Sequence, residues 1–188
     1  SNATYYDKDG VLRKSSYNQL QRSEEFDQST WNKNNSLITP NNTLAPDGTF
    51  TADKFENVVS GTARCTQSIT VTSGTDYTAS IYLKAGTLSE NIRWREDAED
   101  GMQVVVNLTT GQITSDTNGT GIIDPVGNGW YRVSFTGSVS GTVFNSEIRT
   151  LDDGSVYVWG AQLETGPYAG PYAKTTSAAA STARTNAY

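Results

Sequence analysis

The chain has 188 residues, with 14 Lys+Arg against 20 Asp+Glu for a net charge of −6, which bounds it to one medium domain with or without tails. An acidic balance with a pI near 4.6 and no Lys/Arg run excludes an interface held by counterion release from nucleic acid, and no stretch approaches the roughly 18 consecutive apolar residues of a membrane helix. A histidine count of 0 removes Ser-His and Cys-His nucleophile pairs, imidazole bases and His-ligated metals together.

Val, Ile, Leu and Phe supply only 35 of the 188 residues, while 4 Trp, 10 Tyr and 26 Thr supply the aromatic and β-branched side chains that suit a pleated, half-buried surface. In chain order, Ser1-Asn2-Ala3 reads as the remnant of a removed purification tag. Residues 4–22 form a polar lead-in arm with one turn signal at Asp7-Lys8-Asp9-Gly10. Short runs of alternating polarity follow between turn signals, and the spacing predicts strands at 49–58, 64–72, 76–85, 91–97, 102–108, 112–115, 129–137, 142–150 and 155–164.

Within 76–85 the alternation sends Ala79, Ile81 and Leu83 to a core and Ser80, Tyr82 and Lys84 outward. Met102 to Ile113 reads as a hairpin with Gly111 in the left-handed position, and Gly127-Asn128-Gly129 as a second tight turn. Cys65, the single cysteine, cannot form an internal disulfide and reads as a small buried hydrophobe. Residues 173–188 are an Ala/Ser/Thr-rich tail without apolar pattern, so both arms need a neighbour to become ordered. Nine short strands with no persistent 3.6-residue period predict an all-β antiparallel two-sheet sandwich, a jelly roll, over 23–172.

Six strings in order carry a family resemblance. They are 22–33 with Ser23-Glu24-Glu25-Phe26 and Trp31-Asn32-Lys33, then 45–54 with Ala45-Pro46-Asp47-Gly48-Thr49, then 71–84, then Asn107-Leu108-Thr109-Thr110-Gly111. The last two are Val126-Gly127-Asn128-Gly129-Trp130-Tyr131-Arg132 and Tyr157-Val158-Trp159-Gly160-Ala161-Gln162-Leu163-Glu164-Thr165-Gly166. Together they resemble a domain of bacteriophage tail fibre, tail spike and head fibre proteins. The resemblance implies a jelly roll like that of non-catalytic carbohydrate-binding modules, on a virion or prophage appendage outside the cell, beside other virion proteins. It also implies a homo-oligomer, with a trimer favoured, and no enzymatic activity. Segment 86–103 and the exit at 171–175 depart from the pattern.

That departing segment holds the candidate site. Sugar recognition needs a flat aromatic face and fixed polar groups to pair hydroxyls. If Ile92 and Trp94 point inward, Arg93, Arg95 and Asp97 line the outer face. The opposite register exposes Trp94 beside Glu96. Arg149 and Tyr82 are further candidates for this glycan-binding face, and the alternative makes Trp94 a core residue above a solvated charged hairpin. Trp130 and Trp159 read as packing aromatics, and Trp31 as core or as a cap on one end of the sandwich. Asp97, Glu99, Asp100, Asp152 and Asp153 have the carboxylate density for calcium but no complete loop signature, and Gly101 and Gly154 favour turns there. No cofactor is expected. Two alternatives accompany the appendage reading: a carbohydrate-binding module of a secreted polysaccharide-degrading enzyme, and a carboxylate-dependent glycosidase.

Overall fold

A computed structural model describes residues 4–6, 12–14, 17–98 and 100–181, without the side chains of 4–6, 12–14, 180 and 181. Its strands in chain order are β1 (Thr4–Tyr6), β2 (Leu12–Lys14), β3 (Tyr17–Asn18), β4 (Asn32–Asn34), β5 (Ser36–Thr43), β6 (Ala52–Asn57), β7 (Ala63–Thr70) and β8 (Thr75–Ala85). They continue as β9 (Ile92–Glu96), β10 (Gln103–Asn107), β11 (Gln112–Thr117), β12 (Thr120–Gly127), β13 (Trp130–Val139), β14 (Val143–Thr150), β15 (Gly154–Thr165) and β16 (Ala180–Ser181). No helix occurs among the described residues. Sheet I runs β11-β10-β9-β14-β7-β4 and sheet II runs β12-β13-β8-β15-β6-β5. Every pairing in both sheets is antiparallel. The protein is an all-β sandwich, as the alternation predicts.

The two sheets meet over one continuous core. Ala79, Ile81 and Leu83 of β8 enter it fully buried, joined by Trp94, Phe135 and Phe144. The Phe135 and Phe144 rings lie parallel across the interlayer space at 6.2 Å, with Trp94 6.4 Å from Phe135. Cys65 belongs to this core, and burial pushes its thiol up to about 12. At 0% exposure the thiol is closed off from solvent. Trp31 is also core, its ring tilted 32° against Phe26 at 4.7 Å and its Nε1 donating to the Arg22 carbonyl at 3.0 Å.

The nine expected strands correspond to β6 through β11 and β13 through β15. Both expected turns are present, with Gly111 at φ 65° and Gly127, Asn128 and Gly129 all at positive φ. Within the two large sheets, three strands lie outside the expectation: β4, β5 and β12. All three are sheet edges. β5 and β12 contain Pro40 and Pro125, with register shifts at Thr39/Thr43 and Pro125/Gly127. An edge strand tolerates proline and a bulge because one side of its ladder is unpaired, and for the same reason it lacks a clean apolar alternation.

Residues beyond the expected limits at 23 and 172 pack against the sandwich. Asn18, Leu20, Ala173 and Thr175 are buried, and β3 pairs with β16. Leu20 anchors the first arm in the core, and hydrogen bonds join the two arms to one another. Ser23 N donates to Thr175 Oγ1 at 3.2 Å, Thr175 N donates to Ser23 Oγ at 2.9 Å and Arg22 N donates to the Thr176 carbonyl at 2.7 Å. The turn expected at residues 7–10 and the tail beyond 181 lie outside the described residues.

Candidate functional site

The outer face of sheet II is built by a bulge in β15. Trp159 pairs with Tyr82 and Gln162 with Ser80, so Gly160 and Ala161 together oppose Ile81. Gly160 takes the left-handed conformation at φ 61° that this requires. The extra residue sends Ala161 inward and keeps Tyr157, Trp159, Gln162 and Glu164 on one face. Without it the polar pair Gln162 and Glu164 would face the core.

Cross-strand register then sets two lateral rows. One is Lys54, Tyr157, Lys84 and Trp130; the other is Trp159, Tyr82 and Arg132. Trp130 and Trp159 are buried, as expected of packing aromatics, and form a second apolar cluster with Ala45 and Ala52. Tyr82, Tyr157 and Tyr172 pack on it half-buried. The loop 44–51 closes one side: Trp130 Nε1 donates to the Leu44 carbonyl at 3.1 Å and Trp159 Nε1 to Thr51 Oγ1 at 3.0 Å.

The segment 166–175 closes the other side as a strap. Arg132 donates to the Gly170 carbonyl at 2.7 Å and Gly170 N donates to Glu164 at 2.9 Å. Ala173 N donates to Gln162 at 2.7 Å. Tyr172 packs 4.6 Å from Trp159 and hydrogen bonds to Ser23 at 2.6 Å and Glu24 at 3.0 Å. Burial raises the phenol pKa of Tyr172, and Glu24 adds to it. Burial raises Tyr82 as well, against a partial pull downward from Arg132, whose guanidinium carbon sits 5.5 Å from the ring centroid. Both phenols stay protonated and able to donate.

The residues expected at the site are divided among three places. Arg93, Arg95, Asp97 and Arg149 share the outer face of sheet I. Trp94 and Glu96 do not join them. The register is the one that points Ile92 and Trp94 inward, and Trp94 is 0% exposed, so its ring offers no face to a ligand. Glu96 is equally buried, and its carboxylate accepts the backbone N–H groups of Ala98, Gly101 and Asn145. Tyr82 stands on the other sheet altogether.

The calcium candidates are also dispersed. Asp97 bridges Arg95 and Arg149, Asp100 accepts the Ser140 hydroxyl at 2.6 Å and the Ser140 N–H at 2.8 Å, and Asp152 accepts from Asn91 at 2.8 Å. Asp153 is exposed and Glu99 lies outside the described residues. Among the described residues no three Asp, Glu or Cys side chains gather as a metal site. Sequence reasoning missed Tyr157 and Tyr172. Tyr157 was legible as the outward neighbour of Trp159 two residues on, whereas Tyr172 sits in a strap with no periodicity to reveal it.

No protein-family model matches the chain, and neither does any curated protein. Among solved structures it is similar to the enzymatically active domain of tailspike protein 4 of bacteriophage CBA120, at 14% identity and TM-score 0.48, covering 79% of this chain and 21% of that one. It is similar to the CBM22-1–GH10 modules of xylanase 10B from Clostridium thermocellum complexed with xylohexaose, at 14% identity and TM-score 0.48, covering 85% and 30%. A carbohydrate-binding module of the β-sandwich superfamily is similar at 13% identity and TM-score 0.41, covering 85% and 71%. The chain thus spans less than a third of the length of the first two.

Proposed function

We propose that this chain is a non-catalytic glycan-binding β-sandwich of a bacteriophage or prophage appendage, and that the sugar lies on the outer face of sheet II. The observation that carries the reading is the row Lys54–Tyr157–Lys84 beside Tyr82, framed by the 44–51 loop and the 166–175 strap. Half-buried tyrosine rings offer flat apolar faces with a polar rim, and the flanking ammonium groups donate hydrogen bonds to hydroxyls. The six ordered sequence strings support the appendage assignment. Few contacts per site make single-site binding weak, so a homo-oligomer, favoured as a trimer, raises the avidity.

Affinity electrophoresis of the full chain across neutral polysaccharides, together with a broad glycan array, tests the binding reading. Tyr157→Ala should lower affinity for a bound glycan by roughly tenfold, the loss of one aromatic contact with its buried area, while the circular dichroism spectrum stays β-rich. An array without hits, or full affinity in Tyr157→Ala, overturns it. Light scattering that shows a monomer at high concentration overturns the oligomer.

A further inference from the structure

The outer face of sheet I carries a different chemistry. Arg64 on β7 lies directly opposite Arg149 on β14, and Arg149 lies directly opposite Arg93 on β9. Three arginines therefore form one lateral row, with Cβ atoms at the roughly 5 Å spacing of opposed residues. Arg95 stands two residues along β9, opposite Glu147. Like charges in direct opposition destabilise a sheet, and the face compensates only in part. Asp97 bridges Arg95 at 2.7 Å and Arg149 at 3.3 Å, and Glu147 pairs with Arg149 at 2.6 Å while accepting the Thr66 hydroxyl at 3.0 Å.

Four guanidiniums against two carboxylates leave a surplus of positive charge on a chain whose net charge is −6. Among the described residues neither Arg64 nor Arg93 has an ion-pair partner, and the Arg93 Nε is buried without a hydrogen-bond partner. The side chains of Arg95 and Arg149 are only 15% exposed. Burial, and next the neighbouring Arg149, lower the pKa of Arg95, so the patch already resists its own positive charge.

A guanidinium presents a rigid planar fork that reads a carboxylate through two parallel hydrogen bonds. Arg64 and Arg93 stand two strands apart, roughly 9.5 Å at the usual strand spacing, and offer two such forks. Around them lie Thr66, Gln103 and Asn145, each aligned with the same face. These are groups suited to hydroxyls. No large exposed aromatic stands among the outward residues of these strands, so the face gives nucleobases nothing on which to stack.

We propose that the Arg64–Arg149–Arg93 row is an anion-binding site that takes the carboxylate groups of an acidic polysaccharide. The site lies on the opposite face of the sandwich from the tyrosine surface and acts independently of it.

The test is titration calorimetry of the full chain with polygalacturonate, with dextran as the neutral saccharide and polyaspartate as the non-saccharide polyanion. The expected result is binding to polygalacturonate that weakens with salt, about tenfold or more weaker in Arg93→Gln and absent in Arg64→Gln/Arg93→Gln. Tyr157→Ala should bind polygalacturonate as the parent does. Without ligand, Arg93→Gln should melt at a higher temperature than the parent, because it removes one of the opposed charges; a packing role would lower it. Unchanged affinity in the double variant overturns the proposal, as does dependence on Tyr157, which moves the ligand to the other face. Polyaspartate bound as tightly as polygalacturonate overturns the saccharide as the carrier. Failure here leaves neutral-glycan binding at sheet II intact, so the two readings fall separately.

Discussion

Asp53 holds a position that only an acceptor with two oxygens satisfies. It is 1% exposed on β6, and its carboxylate accepts the Phe26 N–H and the Asn41 N–H, both at 2.9 Å. It thereby ties the 23–31 loop and the bulged stretch of β5 to the same strand. Burial raises its pKa from 3.8 to about 6, the two backbone hydrogen bonds oppose the rise, and Asp27 and Glu25 reinforce it. The sign follows from linkage. Between about pH 4 and pH 6 the native state holds a proton at Asp53 that the unfolded chain has released, so this group's contribution to stability is complete below pH 4 and is lost as pH rises through 6. Denaturant titrations from pH 4 to pH 7 should show unfolding free energy with a falling component across that window, and Asp53→Asn should remove it. An identical pH profile in Asp53→Asn would rule out this assignment. The same residue shows what a sequence withholds: Asp53 reads there as one more polar position on an alternating strand, and its burial comes from a loop and a strand edge that periodicity does not reveal.

Among the elements, β15 decides most. Its bulge sets which side chains reach each face, and the conformation depends on Gly160 at φ 61°, where an added Cβ would also stand 3.0 Å from the Tyr82 ring and 3.2 Å from Tyr172. Gly160→Ala should destabilise the domain by about 1–2 kcal/mol from the left-handed backbone alone, and more where the two rings must shift. Chemical denaturation measures the total, and near-ultraviolet circular dichroism reports the displaced aromatics. A variant as stable as the parent would contradict the bulge. The interior strands were legible because each has one face in the core, giving the period-2 signal of β8 and β9. Edge strands β5 and β12 were not, since proline and exposure erase that signal. At the candidate site the alternation placed Arg93, Arg95 and Asp97 together in one of its two registers. The choice between registers lay in Ile92 and Trp94, whose burial is a property of the opposing sheet.

At the scale of the molecule, Asn18 joins three distant stretches of chain. Its Nδ2 donates to the carbonyls of Ala161 at 2.9 Å and Ala173 at 3.0 Å, and its Oδ1 accepts the N–H groups of Leu20 and Leu163, both at 3.1 Å. All four hydrogen-bonding positions of the amide are filled. Asn18→Ala leaves four backbone groups without partners and should cost about 3 kcal/mol or more, read as a lower denaturant midpoint for the whole sandwich rather than local fraying. Loss of under 1 kcal/mol would show that water replaces the amide freely. Lead-in and tail looked like arms awaiting a neighbour because hydrogen-bond valence, unlike hydrophobicity, has no period along a chain. Their pairing has a mechanical consequence. Ala180 faces Asn18 and Ser181 faces Tyr17, so a pull applied outward through residues 17 and 181 loads the two rungs in turn rather than together. The layered body behind it is loaded only after the seam has parted, which makes these two rungs a compliant first stage of extension.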